Sequence, residues 1–213
     1  MIRFCYLKVP FTKIRISLTA LLTAAALFYA DFSVFTAMVF ISAILHECGH
    51  IVFLKAFGTE IYGITVLPFG AVIRSDAAKL SYRREAAVAL AGALFNLAAA
   101  GASGLFFCIC RDIHPLFFCG CNLLLAAVNL VPVKTLDGGR ALEAALCARL
   151  SPEKAQRYME SVSYVAFVFL TLAALVLLTV TGCNFSLIIF CVYLFVCVYV
   201  CPERSNPCMF GAR

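Results

Sequence analysis

His46-Glu47-Cys48-Gly49-His50 sets two imidazoles four residues apart with a carboxylate beside the first. Residues four apart on a helix share a face, so both rings can reach one metal ion. Glu47 then stands where it can take a proton from a water activated at that ion. The setting strengthens the signal. Residues 32–57 form an apolar run, and an ionisable group inside a membrane helix costs on the order of 3 kcal/mol to insert. Polar groups clustered in such a run point to a use. The alternative is a pair of interior histidines packed between helices.

A catalytic zinc takes three protein ligands and keeps one position open. One further histidine exists, His114, and it falls at the outer end of a later apolar run, on the side away from His50. Asp31 and Asp112 fall on that outer side too. Asp137 follows the fourth apolar run on the side where the histidines enter. Pro132 breaks that run first, and Gly138-Gly139 permit backbone conformations closed to other residues. Asp137 is the candidate third ligand, and a solvated turn carboxylate is the other reading of it.

These residues need a membrane scaffold. Of the 213 residues, 64% are hydrophobic and 13% charged, with a mean hydropathy of +1.00. A soluble domain is about half apolar and roughly a quarter charged. That excludes a soluble enzyme, a disordered chain and a secreted disulfide scaffold. It predicts an all-α polytopic membrane protein. Six membrane helices are expected at about 16–30, 32–57, 84–109, 115–131, 158–180 and 185–201, as one membrane domain over 1–201 with a short cytoplasmic tail at 202–213. A mixed helix is expected at about 140–149, and Ser151-Pro152 starts the fifth long helix outside the bilayer.

Residues 58–82 break the helical pattern. Ile61 to Ile73 is rich in β-formers, with Leu67-Pro68-Phe69-Gly70 as a turn. One or two short strands are expected there, a hairpin inserted after the second helix. It reads equally as an edge that holds an extended peptide or as a plug at the inner mouth of the site.

With both termini inside, 16 of the 17 basic residues fall on the inner side and only Arg111 outside. The positive-inside rule therefore makes both termini cytoplasmic. The basic residues form no continuous stripe, so no nucleic-acid partner is expected. Arg149, Lys154 and Arg157 are placed to meet anionic headgroups. Most of the 12 cysteines sit in apolar runs as small hydrophobes. Cys108, Cys110, Cys119 and Cys121 flank one loop and leave a disulfide open as the lesser alternative. Asn96, deep in an apolar run, reads first as an interhelix hydrogen bond and second as part of a substrate path.

His46-Glu47-x-x-His50, followed about 80 residues later by Asn129-x-x-Pro132-x-x-x-x-Asp137-Gly138, resembles the site-two protease family of intramembrane zinc metalloproteases. The resemblance covers about residues 35–160. Leu67-Pro68-Phe69-Gly70, Ala91-Gly92 with Asn96, and Leu136 to Arg140 resemble its SpoIVFB-like sporulation branch, which processes a membrane-associated pro-sigma factor. The resemblance implies one zinc ion held by His46, His50 and Asp137, with Glu47 as general base. It makes Asn129 a candidate substrate-binding residue, together with Pro68, Phe69 and Gly70. It also implies inhibitory membrane partners, and a bacterial cell membrane, in a sporulating cell the mother-cell-derived membrane around the forespore. Two departures stand out. Gly92-Ala93 replaces a common Gly-Pro at what reads as a packing position, and with about ten residues after the sixth helix the branch's usual CBS domain is not expected.

Other readings are a site-two-type protease for anti-sigma factors or signal-peptide remnants, a membrane metal transporter, and an inactive protease-like binding protein. A transporter needs polar groups continuing to the outer face, and the sequence concentrates them in one set. An intact His-Glu-His-Asp set argues against an inactive relative.

Overall fold

A computed structural model describes residues 6–8, 14–67, 70–76, 80–182 and 186–196. Its helices are α1 (Leu18–Ala30), α2 (Val34–Ala56), α3 (Tyr82–Cys110), α4 (Ile113–Asn129), α5 (Asp137–Cys147), α6 (Pro152–Thr181) and α7 (Ser186–Phe195). Its strands are β1 (Tyr6–Lys8), β2 (Ile14–Ser17), β3 (Ile61–Leu67) and β4 (Gly70–Ser75). Among the described residues, three helices are long and apolar enough to cross a membrane: α2, α3 and α6 from Glu153 onward. The apolar helices α1 and α4 are shorter.

The chain divides into two units, residues 1–80 with 91–127, and residues 81–90 with 128–213. In the first, the sheet runs β1-β2-β3-β4. β2 pairs in parallel with β3 (Ile14 to Ile64, Ile16 to Val66), and the other two pairings are antiparallel. The sequence places a helix from residue 16 and a strand insertion only after the second helix. Instead Ile14-Arg15-Ile16 is recruited as a strand by β3, a distant partner invisible to local pattern. Ser17 ends that strand, and its hydroxyl accepts from the Ala20 N–H to cap α1. Ser33 caps α2 in the same way, accepting from the Thr36 N–H.

Many buried positions are alanines, and many large apolar residues face outward. Ala89, Ala91, Ala93, Ala100 and Ala126 are buried, while Leu22, Leu105, Leu124 and Phe169 are exposed. That is inside-out for water but suits lipid, where close backbone approach between small residues holds helices together.

In the second unit, Val133 and Leu136 pack with Leu194, flanked by Phe167, Leu170 and Phe190. α4 stops at Asn129 rather than at 131, and α5 starts at Asp137 rather than at 140. Gly138 and Gly139 are therefore helical and have no positive φ. Their reason is space. A Cβ on Gly138 would strike the Leu130 carbonyl, and one on Gly139 the Val133 carbonyl. α6 is unbroken to Thr181 and ends on Gly182 at φ 70. Residues 185 and 197–201 of the sixth expected helix, and the 202–213 tail, lie outside the described residues.

Candidate metal centre

The first unit assembles most of the site on α2. Its buried stripe runs Ser42, His46, Gly49, His50, Leu54. One helical turn separates the two histidines, so their Nε2 atoms face each other at 3.3 Å. The ring planes are 82° apart. Two nitrogens each about 2.0–2.1 Å from one tetrahedral zinc stand about 3.3 Å apart. The separation of the two nitrogens thus matches that of two ligands on one zinc ion.

The close crossing of α2 and α3 rests on two glycines. A Cβ on Gly49 would lie 2.6 Å from the Ala91 carbonyl oxygen. A Cβ on Gly92 would lie 2.5 Å from His50 Nε2 and 2.7 Å from His46 Cε1. Gly92 is more than a packing position, for it is the floor beneath both imidazoles.

Hydrogen-bond chemistry fixes which His46 nitrogen carries the proton. Asn96 is fully buried on α3. One end of its amide is 3.1 Å from the Ser42 carbonyl, which can only accept, so that end is the NH2 group. Asn96 Oδ1 therefore faces His46 Nδ1 at 2.7 Å. Nδ1 must carry the proton and donate it, which leaves Nε2 unprotonated, the form that can bind a metal. Of the two sequence readings of Asn96, the interhelix bond is the one observed.

Glu47 is half-buried, and its Oε1 accepts from the Ala71 N–H of β4 at 3.0 Å. Ala71 pairs with Val66 across the β3–β4 ladder, and its N–H turns away from that ladder onto the outer edge. Gly70 precedes it at φ 126, a conformation that favours glycine. Pro68 and Phe69 lie outside the described residues. His114 is engaged elsewhere. Its Nδ1 is 2.6 Å from Asp112, and its ring stacks on Phe35, about 16 Å up α2 from His46 at 1.5 Å per residue. Hydrogen bonds from His114 hold the Asp112 carboxyl below its usual range. Cys108, Cys110, Cys119 and Cys121 are free thiols, so no disulfide links them.

Asp137 belongs to the second unit. The sequence leaves it on unwound backbone after α4, whereas it is the first residue of α5. A carboxylate there meets the positive end of the helix dipole. It is buried, and Arg140 Nη1 stands 3.9 Å from its Oδ1. The approach to it is pinned. Val133 N–H donates to Val131, and Leu136 N–H to Val133. The Lys134 N–H donates to Ser163 Oγ at 3.0 Å. Asn129 is the half-buried last residue of α4.

Sequence reasoning missed Asn122, Ser42 and Ser163. Asn122 had a signal, since it is an amide within an apolar run like Asn96. Ser42 and Ser163 had none, because serine is unremarkable in a membrane helix.

The family model for Peptidase family M50 matches residues 34–111 and 113–173. The zinc metalloprotease MJ0392 of Methanocaldococcus jannaschii is 32% identical over 146 residues, 66% of this chain and 41% of that protein. The chain thus spans about two fifths of that curated relative's length. The solved site-2 protease from the same organism superposes with a TM-score of 0.66 at 23% identity, over 96% of this chain and 95% of that one. That likeness concerns the fold. The family match covers well over half of the sequence, and the chain belongs to peptidase family M50, the site-two protease family.

Proposed function

We propose that the chain is an intramembrane zinc endopeptidase that hydrolyses a peptide bond of a membrane-associated protein. The observation that carries this is the His46–His50 pair, its Nε2 atoms 3.3 Å apart in an apolar helix with Glu47 between them. In this reading the buried carboxylate of Asp137 joins the two imidazoles as third ligand of one zinc ion. That donor set suits a divalent zinc with one open position. Zinc, when bound, would supply the Lewis acidity that polarises the scissile carbonyl and acidifies water.

The remaining work falls to this chain's own residues. Glu47 takes a proton from water on one carboxylate oxygen and returns it to the leaving amine. Asn96 holds His46 in the tautomer whose Nε2 is unprotonated. Gly92 keeps space beneath both rings. A helical substrate hides its carbonyls and must unwind. The outer edge of β4 would receive the unwound segment as an added strand, which exchanges for the Ala71–Glu47 bond and so frees the base as substrate arrives. Gly70, with Pro68 and Phe69 before it, would shape the start of that edge, and Asn129 would bind substrate backbone.

The substrate in this proposal is a membrane-associated pro-sigma factor of sporulation, supported by the Leu67–Gly70 and Leu136–Arg140 motifs. The chain would cross the membrane six times with both termini cytoplasmic, supported by the distribution of basic residues. Its site in a sporulating cell would be the membrane around the forespore, with inhibitory membrane partners. The test is co-expression with a membrane-associated pro-sigma factor from the same genome. Wild type should cleave it, and Glu47→Gln should retain zinc without cleaving. Equal cleavage by both would overturn the mechanism. Cleavage by neither, with zinc bound, would overturn the substrate assignment.

A further inference from the structure

Asn96 does not hold itself in place. Its NH2 group donates to Asn122 Oδ1 on α4 at 2.7 Å, besides the Ser42 carbonyl. Asn122 is likewise fully buried. Its own Nδ2 donates to the Phe118 carbonyl at 2.8 Å and to Ser42 Oγ at 3.0 Å. Ser42 Oγ in turn donates to the Met38 carbonyl at 2.9 Å. The Phe118 carbonyl can only accept, so the amide of Asn122 cannot turn over. Its Oδ1 is thereby committed to Asn96, and Asn96 Oδ1 to His46. Every amide proton of the two asparagines has an acceptor, and the direction of each bond follows from backbone carbonyls at one end.

We propose that Asn122 is a positioning residue for the metal ligand His46, acting through Asn96 to fix the imidazole as the Nδ1–H tautomer. This rests on the reading of His46 as a zinc ligand. Cutting the relay at Asn122 leaves one Asn96 proton without its acceptor inside an apolar bundle. The Ser42 carbonyl alone then holds the NH2 of Asn96, so the amide turns over at lower cost than in wild type, and rotation would present its NH2 to His46 Nδ1. That nitrogen would have to accept, which moves the ring proton to Nε2, where the metal must bind. Simple loss of packing would not move a proton between ring nitrogens.

The test uses the full chain in micelles with 15N-labelled histidine. In zinc-free wild type, the His46 ring nitrogens should report the Nδ1–H form alone. Asn122→Ala should add the Nε2–H form and weaken zinc binding by about tenfold, the low end for loss of an outer-shell partner. Asn122→Asp keeps an acceptor toward Asn96 and should restore the Nδ1–H form. The Nε2–H form in wild type would overturn the proposal, whether or not the variants fold. So would a folded Asn122→Ala that keeps one tautomer and binds zinc within twofold of wild type. Failure of the metal reading looks different, since wild type itself would then take up no zinc while the tautomer still answered to Asn122.

Discussion

His46 Nδ1 and Asn96 Oδ1 stand 2.7 Å apart, and through that bond α3 sets which nitrogen is protonated on an imidazole carried by α2. A metal-binding histidine needs its second nitrogen occupied by a partner that orients the ring. Here the partner is a neutral amide whose other end is tied to the Ser42 carbonyl and to Asn122.

Asn96→Asp keeps an acceptor for the His46 N–H and loses the donors. It should retain zinc affinity within about tenfold of wild type, while Asn96→Leu, which loses both, should fall toward the 100-fold end of outer-shell effects. Zinc competition with a chromophoric chelator checks the order. Equal affinities in the two variants would show that the acceptor oxygen does not matter.

Gly92→Ala places a methyl 2.5 Å from His50 Nε2 and 2.7 Å from His46 Cε1. The rings must move, since the helix backbone beneath them cannot. Adding a methyl to a packed site costs about 1–3 kcal/mol, and here the strain falls on the two imidazoles themselves. Zinc content and cleavage should both collapse while the variant stays folded by circular dichroism. A zinc-replete, active Gly92→Ala would contradict the placement of the rings.

The site is legible in the sequence where chemistry depends on local spacing. A separation of four residues is enough to put His46 and His50 on one helix face. Legibility fails where a distant partner decides. Ile14–Ser17 looks like the start of a helix until β3 pairs with it. Gly138 and Gly139 read as a flexible turn, yet they are helical and serve the close approach of the Leu130 and Val133 carbonyls. A glycine chosen for space and one chosen for dihedral freedom are the same letter. Asn96 stands out by its isolation in an apolar run, but which neighbours it serves depends on where Ser42 and Asn122 lie.

Gly139→Ala directs a methyl at the Val133 carbonyl, and the Lys134 amide lies just behind it. Backbone cannot swing aside as a side-chain tip can. The start of α5 should shift and carry Asp137 with it. Expression in the membrane should survive, whereas zinc affinity and cleavage should drop together. Gly182→Ala is the contrast. Its φ of 70 strains a side chain, but nothing among the described residues stands within 4 Å of the added methyl, so the cost should appear in stability and leave zinc binding unchanged.

Ser163→Ala removes the acceptor for the Lys134 N–H, which is 3.0 Å from Ser163 Oγ. Ser163 is buried on α6, and Lys134 lies three residues before Asp137 in the segment that joins α4 to α5. An N–H stranded in a dry setting costs about 1–3 kcal/mol, and water is scarce beside an apolar helix. The segment can relieve that cost by moving the Lys134 amide outward, and Asp137 is close enough in the chain to move with it. The expected result is a lower melting temperature together with weaker zinc binding. Ser163→Thr retains the hydroxyl and should preserve both. If Ser163→Ala lowers the melting temperature and leaves zinc affinity untouched, the tether stabilises the fold without positioning Asp137. A variant with neither property changed would mean that the bond contributes nothing to holding the segment.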